Sequence, residues 1–467
     1  MVAGDRGVIK LETKEGSDLS LWIQQAKARG EISPDKDSAL VAMAFMADYF
    51  FVLLTFFCAA MKRTRRKCWT CWKNFWSKPS NKQPWPQPPQ LQKGGSMTEK
   101  YLVDPDLNFI KTIIQNGGDS LKKCFQCATC SVACQLSSDK QPFPRKEMIA
   151  ASWGLKDRLI GNPDIWQCHN CGDCSALCPR GAQPGDTMGA IRHISILTYA
   201  RPAILGRLWN DPRMLPLLFI LPALVILAVG FATGLLNLQN DGGPIVYAQF
   251  FPVALIEMIY IPLTLLVGLV FFVGIRNLLA DMRANYLRRG LDDGDPIKPV
   301  EFLKALIATL PTIITHTKFA SCGENQQRKF SHMLVSFSFV NLAMVAGAFV
   351  FALYVLGSHG PYPQLNPVKI FANLSGIALI LGSLLLIKDR LESTNGHNSY
   401  FDWYILALAL GLGVTGMLTQ FIRLADWPTA AVAMYFIHLV LAFNLIACLP
   451  YTKMAHFVYR TVALAYV

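Results

Sequence analysis

The sequence predicts a mainly α-helical protein in two parts, a small cysteine-rich helical domain followed by a six-helix bundle that crosses a membrane. Three observations predict it. Hydrophobic residues make up 52% of the 467 residues and charged residues only 16%, a balance shifted away from that of soluble domains. Eight of the 13 cysteines crowd into residues 124–178. Six long apolar runs, near 214–236, 248–275, 333–356, 369–387, 403–422 and 429–450, fill the second half of the chain.

Each run is long enough to cross a hydrocarbon core of about 30 Å at about 1.5 Å per residue. The segment 276–331 carries Arg276, Arg283, Arg288, Arg289, Lys298, Lys304, Lys318, Arg328 and Lys329, whereas the hairpins 237–247 and 357–368 carry no lysine or arginine. By the positive-inside rule the basic segment is cytoplasmic. Six crossings then put the cysteine-rich domain and the tail with Lys453 and Arg460 on that same side, which predicts a multi-pass protein of the inner (cytoplasmic) membrane. The net charge of +13 is accordingly read as topological and not as a nucleic-acid footprint.

Three domains are expected: 1–96, 97–200 and 201–467. The first lacks a cleavable signal in its polar opening residues. It holds an apolar run at 39–61, the basic stretch KRTRRK at 62–67 and a Pro/Gln-rich linker at 84–96. Residues 39–61 are a candidate seventh crossing, against which Asp48 near the middle costs about 2.5–3.5 kcal/mol. Lys93, Gly94 and Gly95 can be encoded by a purine-rich ribosome-binding sequence just before Met97, so a natural start at Met97 is the alternative for this whole region.

The cysteines carry the firmest signal. KKCFQCATCSVACQ spaces Cys124, Cys127, Cys130 and Cys134 as CxxCxxCxxxC, and WQCHNCGDCSALCPRG repeats the pattern with Cys168, Cys171, Cys174 and Cys178. Three thiolates within seven residues can wrap one face of an iron-sulfur cubane, while the fourth lies about a turn onward and points elsewhere. Two [4Fe-4S] clusters are therefore expected. Structural zinc also suits four thiolates, although zinc ribbons use two well separated CxxC pairs. The intervening stretch includes a helical segment, RKEMIAASWG. Cys68 and Cys71 read as an incidental CxxC, and Cys322 is unassigned.

Four of the eight histidines, His316, His332, His438 and His456, invite haem b ligation, since such a haem is held in a helical bundle by two neutral imidazoles. His438 and His456 are eighteen residues apart, which on one continuous helix is five turns on a shared face. His332 and His456 share a depth and are natural partners for one haem. For His438 the alternative is a hydrogen bond to a neighbouring helix. His316 is a ligand only if its stretch folds back. His169 is placed to cover a cluster; His193, His359 and His397 read as peripheral. Glu257 is balanced between a proton path and snorkelling.

The doubled cysteine motif resembles that of two-cluster ferredoxins, and the longer spacing between its halves resembles the α-helical ferredoxins. The resemblance implies crossed ligation, Cys124, Cys127, Cys130 and Cys178 for one cluster and Cys168, Cys171, Cys174 and Cys134 for the other. Over about residues 97–467, the motifs together with HTKFASC, FSHMLVSF and PYTKMAHF resemble the membrane subunit of the quinone-interacting membrane-bound oxidoreductase complex. That protein is itself similar to a fusion of the iron-sulfur C subunit and the haem b E subunit of heterodisulfide reductase. The resemblance implies one or two haem b groups and a relay between membrane quinone, such as menaquinone, and flavin or iron-sulfur subunits, linked in dissimilatory sulfur metabolism to adenylylsulfate reductase. PYTKMAH is also similar to the end of the haem-bearing gamma subunit of respiratory nitrate reductase, although Leu342 stands where that protein has a further histidine. The alternatives are a quinol-oxidising membrane subunit of a sulfite-reduction complex and a heterodisulfide-reductase-type subunit. Against catalytic disulfide reduction stands the lack of adjacent cysteines.

Overall fold

The computed structural model describes residues 104–139, 141–238, 243–291, 297–315, 326–392 and 399–467. The expectations about residues 1–96, His316, Cys322 and His397 lie outside them. Among the described residues the protein is helical, and one isolated bridge, Ser138 with Gln141, is its only strand-like pairing.

The cysteine-bearing part begins with α1, Leu107–Ile113, capped by the Asp106 carboxylate, which accepts from the Phe109 amide at 2.8 Å. An aspartate here satisfies an amide that the helix itself leaves orphaned. Next come α2, Arg145–Ser152, where the sequence placed a helix, α3, Pro163–Gln167, and α4, Pro184–Tyr199. A short amphipathic helix, α5, Ala203–Asn210, leads into the apolar part.

Six helical stretches are long and apolar enough to cross a membrane: Pro212–Thr233, Val253–Arg288, Arg328–Tyr354, Pro367–Glu392, Tyr400–Leu424 and Pro428–Tyr466. They contain α6, Leu215–Thr233, α7, Val253–Arg288, α9, Gln326–Tyr354, α10, Pro367–Glu392, α11, Tyr400–Leu424, α12, Pro428–Cys448, and α13, Ala455–Tyr466. The basic segment, read from sequence as a loop, contains the end of α7 and a further amphipathic helix, α8, Pro299–Thr315.

Two departures from the sequence reading matter for the site. The last apolar run is not one continuous helix with the tail. α12 stops at Cys448, a 3-10 turn covers Leu449–Tyr451, and Thr452 is extended before α13 begins. Pro450 has no amide to donate, so the hydrogen-bond ladder cannot run through it. His438 and His456 therefore do not share a face of one helix. The second departure is α7. Its 36 residues are about 54 Å long at about 1.5 Å per residue, well over a hydrocarbon core of about 30 Å.

The surplus length holds the cysteine-bearing part. Asn285 Nδ2 donates to Arg158 O at 3.0 Å, Arg288 Nη2 to Asp157 O at 3.0 Å, and Tyr199 Oη to Asp281 Oδ2 at 3.1 Å. Arg289 pairs with Gln141 and lies 3.7 Å from Asp164. Arginines that the sequence assigned to topology thus also make specific contacts. One hydrophobic core joins both parts: Ile113, Met148, Ile165, Trp166, Met188 and Ile191 pack with Leu278, Leu279 and Met282 of α7 and Ala455, Tyr459 and Val462 of α13. The contact is tightest at Gly274, where a Cβ would collide with the Tyr459 hydroxyl and stand 3.2 Å from Tyr199 O. A glycine is needed there because a side chain would enter the space that the Tyr459 hydroxyl and the Tyr199 carbonyl already fill.

Residues 343–371 fall outside the compact unit made by the described parts of 64–342 and 372–467. Within them, Phe349 stacks on Tyr362 with centroids 5.0 Å apart, and Tyr362 Oη donates to Ser358 O at 2.8 Å.

Candidate metal centres

The two cysteine motifs fold alike. In the first, Gln126 and Ala128 take left-handed φ of 60° and 70°; in the second, Asn170 and Gly172 do so at 54° and 95°. These are the second and fourth residues after the first cysteine of each motif. Left-handed residues reverse the chain sharply, so the first three cysteines of each motif curl around one space. A one-turn helix follows in each, Thr129–Ala133 and Asp173–Ala176. Each carries the chain to its fourth cysteine, Cys134 or Cys178.

The fourth cysteines are exchanged. A cavity is lined by Cys124, Cys127, Cys130 and Cys178, with Arg145 and Arg180 at its wall. The Cys130 thiol is pushed up by burial and by the sulfurs of Cys124, Cys127 and Cys178. At the second site the Cys174 thiol is pushed up by burial and by Cys168, Cys171 and Cys134, and burial raises Cys134 to about 11. Polar groups turn toward the sulfurs: Gln126 Nε2 donates to Cys124 Sγ at 3.3 Å, and the Asn170 amide donates to Cys168 Sγ at 3.4 Å. Thr129 Oγ1 lies 3.4 Å from Cys127 Sγ and holds that exposed thiol below its usual range. Among the described residues no three His, Cys, Asp or Glu side chains converge closely enough to hold a single metal ion.

Of the membrane histidines, His332 and His456 are brought together, with ring centroids 6.3 Å apart and planes at 68°. His456 Nδ1 stands 2.5 Å from Lys453 O, and His332 Nδ1 stands 3.3 Å from Ser336 Oγ. A carbonyl only accepts, so His456 carries its proton on Nδ1 and its Nε2 is left with a lone pair. His438 is elsewhere. Its Nδ1 is 2.8 Å from Thr415 Oγ1, and its ring packs on Gly416 of α11. Because Thr415 spends its single proton on Gly411 O at 2.7 Å, it accepts from His438. That is the hydrogen bond to a neighbouring helix weighed as the alternative. His169 contacts Arg460, His193 meets Phe401 edge-on at 4.1 Å, His359 is exposed, and Glu257 is half-buried.

Sequence reasoning read Arg328, Lys453 and Arg460 as topological and passed over Asp402 and Arg192. Asp402 accepts from Lys453 Nζ at 2.6 Å and Arg390 Nη1 at 3.0 Å. Arg192, Arg328 and Arg460 reach the Cys168–Cys171 loop. For the last two a signal was present: Arg328 precedes His332 by four residues and Arg460 follows His456 by four, one helical turn in each case.

Comparison with known proteins bears chiefly on the cysteine-bearing part. Residues 120–182 match the family model described as a 4Fe-4S dicluster domain. The chain is 36% identical over 104 residues to the C subunit of the H(2):CoB-CoM heterodisulfide,ferredoxin reductase of Methanothermobacter marburgensis, covering 22% of this chain and 55% of that protein. It is 30% identical over 105 residues to a protein of Archaeoglobus profundus described as like the C subunit of heterodisulfide reductase, covering 22% and 56%. It therefore spans about half the length of these relatives. Citrate utilization protein B of Escherichia coli is 27% identical over 326 residues, covering 64% of this chain and 79% of that protein. That share is larger than residues 201–467 alone, so the likeness runs through both parts. No solved structure matches. The chain is thus an iron-sulfur protein with a 4Fe-4S dicluster domain, related through it to the C subunit of heterodisulfide reductase, and with six helices apolar enough to span a membrane.

Proposed function

We propose that this chain is a membrane electron-transfer subunit that relays electrons between membrane quinone and soluble flavin or iron-sulfur partners. What carries the proposal is one juxtaposition: the cysteine-bearing part shares a core with α13, which bears His456, and His456 faces His332 of α9, whose Arg328 reaches the Cys168–Cys171 loop. Cys124, Cys127, Cys130 and Cys178 would hold one [4Fe-4S] cluster, and Cys134, Cys168, Cys171 and Cys174 the other. The donor set fits: four sulfurs whose negative charges oppose one another are reconciled by a cationic iron core.

His332 and His456 would hold haem b. An imidazole nitrogen bonds a metal at about 2 Å and lies about 1 Å from its ring centre, so two rings on one metal have centroids about 6 Å apart. The pair stands at 6.3 Å. His456 directs its Nδ1 proton at Lys453 O, the outer hydrogen bond that orients metal-bound histidines. One such pair favours one haem, with His438 a structural residue bonded to Thr415. When bound, the clusters and haem supply one-electron carriers. The chain's own contribution is to hold them and exclude water: Trp166, two residues before Cys168, meets Tyr459, three residues after His456, and both are buried.

The basic ends of the helices favour a cytoplasmic cysteine domain in the inner membrane. The partners under this reading are quinone and the flavin or iron-sulfur subunits of one complex, with adenylylsulfate reductase beyond them. The relative named for citrate utilization favours a second reading of the partner alone, the same relay serving carboxylate metabolism. Co-purification under native conditions separates the two. For the relay itself, the purified protein is mixed with a short-chain quinol. Reduction of haem bands and cluster signals is expected; reduction by dithionite but not by quinol overturns the quinone link.

A further inference from the structure

The two cysteine sites are not equivalent toward the histidine pair. Three guanidinium groups reach the loop between Cys168 and Cys171. Arg192 Nη2 donates to Cys168 O at 2.8 Å and to Ile165 O at 3.2 Å. Arg328 Nη1 donates to Asn170 O at 3.4 Å. Arg460 Nη1 donates to Cys168 O at 3.4 Å, and its Nη2 lies 3.0 Å from His169 Nδ1. Arg328 is on α9, one turn before His332, and Arg460 is on α13, one turn after His456. Each histidine-bearing helix thus grips the same loop with an arginine one turn from its histidine. Between them Tyr459 of α13 meets Trp166, whose helix leads directly into Cys168, with ring centroids 5.4 Å apart.

The other site faces away from these helices. Cys127 is exposed, and the neighbouring Phe125 and Leu177 are 67% and 58% exposed. Its cavity has cations of its own, Arg145 and Arg180, but both belong to the cysteine-bearing part. What distinguishes the Cys168–Cys171 loop is that two of its three cations, Arg328 and Arg460, come from α9 and α13, the helices of His332 and His456, while Arg192 comes from α4.

We propose that the site of Cys134, Cys168, Cys171 and Cys174 is the one coupled to the His332–His456 pair. Arg328 and Arg460 are its positioning residues, and the Cys124, Cys127, Cys130 and Cys178 site faces the soluble partner. The proposal rests on the relay reading above. Its physical content is electrostatic as well as geometric. A reduced cluster carries one more negative charge than an oxidised one, so a guanidinium held against its loop favours the reduced form and raises its midpoint potential. Arg328 also faces Asp389 and Asp402, of which Asp402 is paired with Arg390 and Lys453.

The test is a redox titration of the full chain followed by electron paramagnetic resonance, with iron and sulfide content confirming assembly. Arg328→Gln and Arg460→Gln are each expected to lower the midpoint of one cluster and leave the second unmoved. Arg460→Lys, which keeps the charge but not the two-pronged grip, is expected to hold most of the potential and replaces the glutamine variant if that fails to assemble. Cys127→Ser identifies the outer cluster, and the signal it alters is expected to be the one the arginine variants leave alone. Midpoints unmoved in both arginine variants, or movement of the signal that Cys127→Ser alters, overturns the proposal. A wild-type protein without cluster signals or haem overturns the relay reading instead.

Discussion

Gly274→Ala tests how the cysteine-bearing part is held to the membrane helices. The added methyl group meets the Tyr459 hydroxyl and Tyr199 O. Tyr459 cannot step aside, because Trp166, Tyr199 and Phe271 surround its ring with centroids at 5.4, 5.9 and 6.1 Å. Overpacking a filled core costs about 1–3 kcal/mol, and this site belongs at the upper end. Alanine returns about 0.8–1.0 kcal/mol as a better helix former than glycine. The net is about 2 kcal/mol, a factor of roughly 30 in the ratio of docked to undocked states. Hydrogen exchange at α13 amides reads it directly, with faster exchange expected across Ala455–Tyr466. Tyr459→Phe removes a buried hydroxyl that has no hydrogen-bond partner among the described residues, so alone it is expected to be near neutral. Combined with Gly274→Ala it is expected to restore protection. Unchanged exchange in Gly274→Ala, or no rescue in the double variant, refutes the packing account.

Three further perturbations follow from the same structure. Burial, opposed by Lys146, pushes the Glu147 carboxyl up from 4.5 to about 7; the folded state then binds the extra proton between those pH values, so stability falls as pH rises from about 4.5 to 7. Glu147→Gln is expected to flatten that slope in thermal melts of the holoprotein, and a retained slope refutes the assignment. Asp402→Asn removes the carboxylate that Arg390 and Lys453 share and is expected to cost about 1.5–3 kcal/mol, the range for hydrogen bonds to charged groups, read as a lowered melting temperature, whereas an unchanged melt contradicts it. Cys178→Ser is expected to remove the cluster of Cys124, Cys127 and Cys130 and spare the one on its own motif, which iron analysis with paramagnetic resonance distinguishes from uncrossed ligation.

Much of this was legible in the sequence because its signals are local. Four cysteines in eleven residues and apolar runs of membrane length each encode their structure within one window, and all six spans and the helix at 145–152 lie where the pattern put them. What escaped was long-range. The break at Pro450 separates His438 from His456, and a period count taken across it assumed one continuous helix. The extension of α7 to Arg288 was hidden by its charges, which resemble a loop until Asp157 O is found to accept from Arg288 and Asp164 to lie beside Arg289. His332 and His456 are far apart in sequence, and only helix packing makes them neighbours. Two of the arginines on the Cys168–Cys171 loop, Arg328 and Arg460, had an i, i+4 relation to those histidines, but nothing in the sequence says what an arginine touches.

The most direct test of the central claim is a reduced-minus-oxidised optical spectrum of the purified protein, taken alongside the same spectrum of His332→Ala and His456→Ala. Haem b bands in the wild type, lost in both variants while both iron-sulfur signals persist, are the predicted result. A wild type without haem bands, or bands that survive intact in both variants, would contradict it.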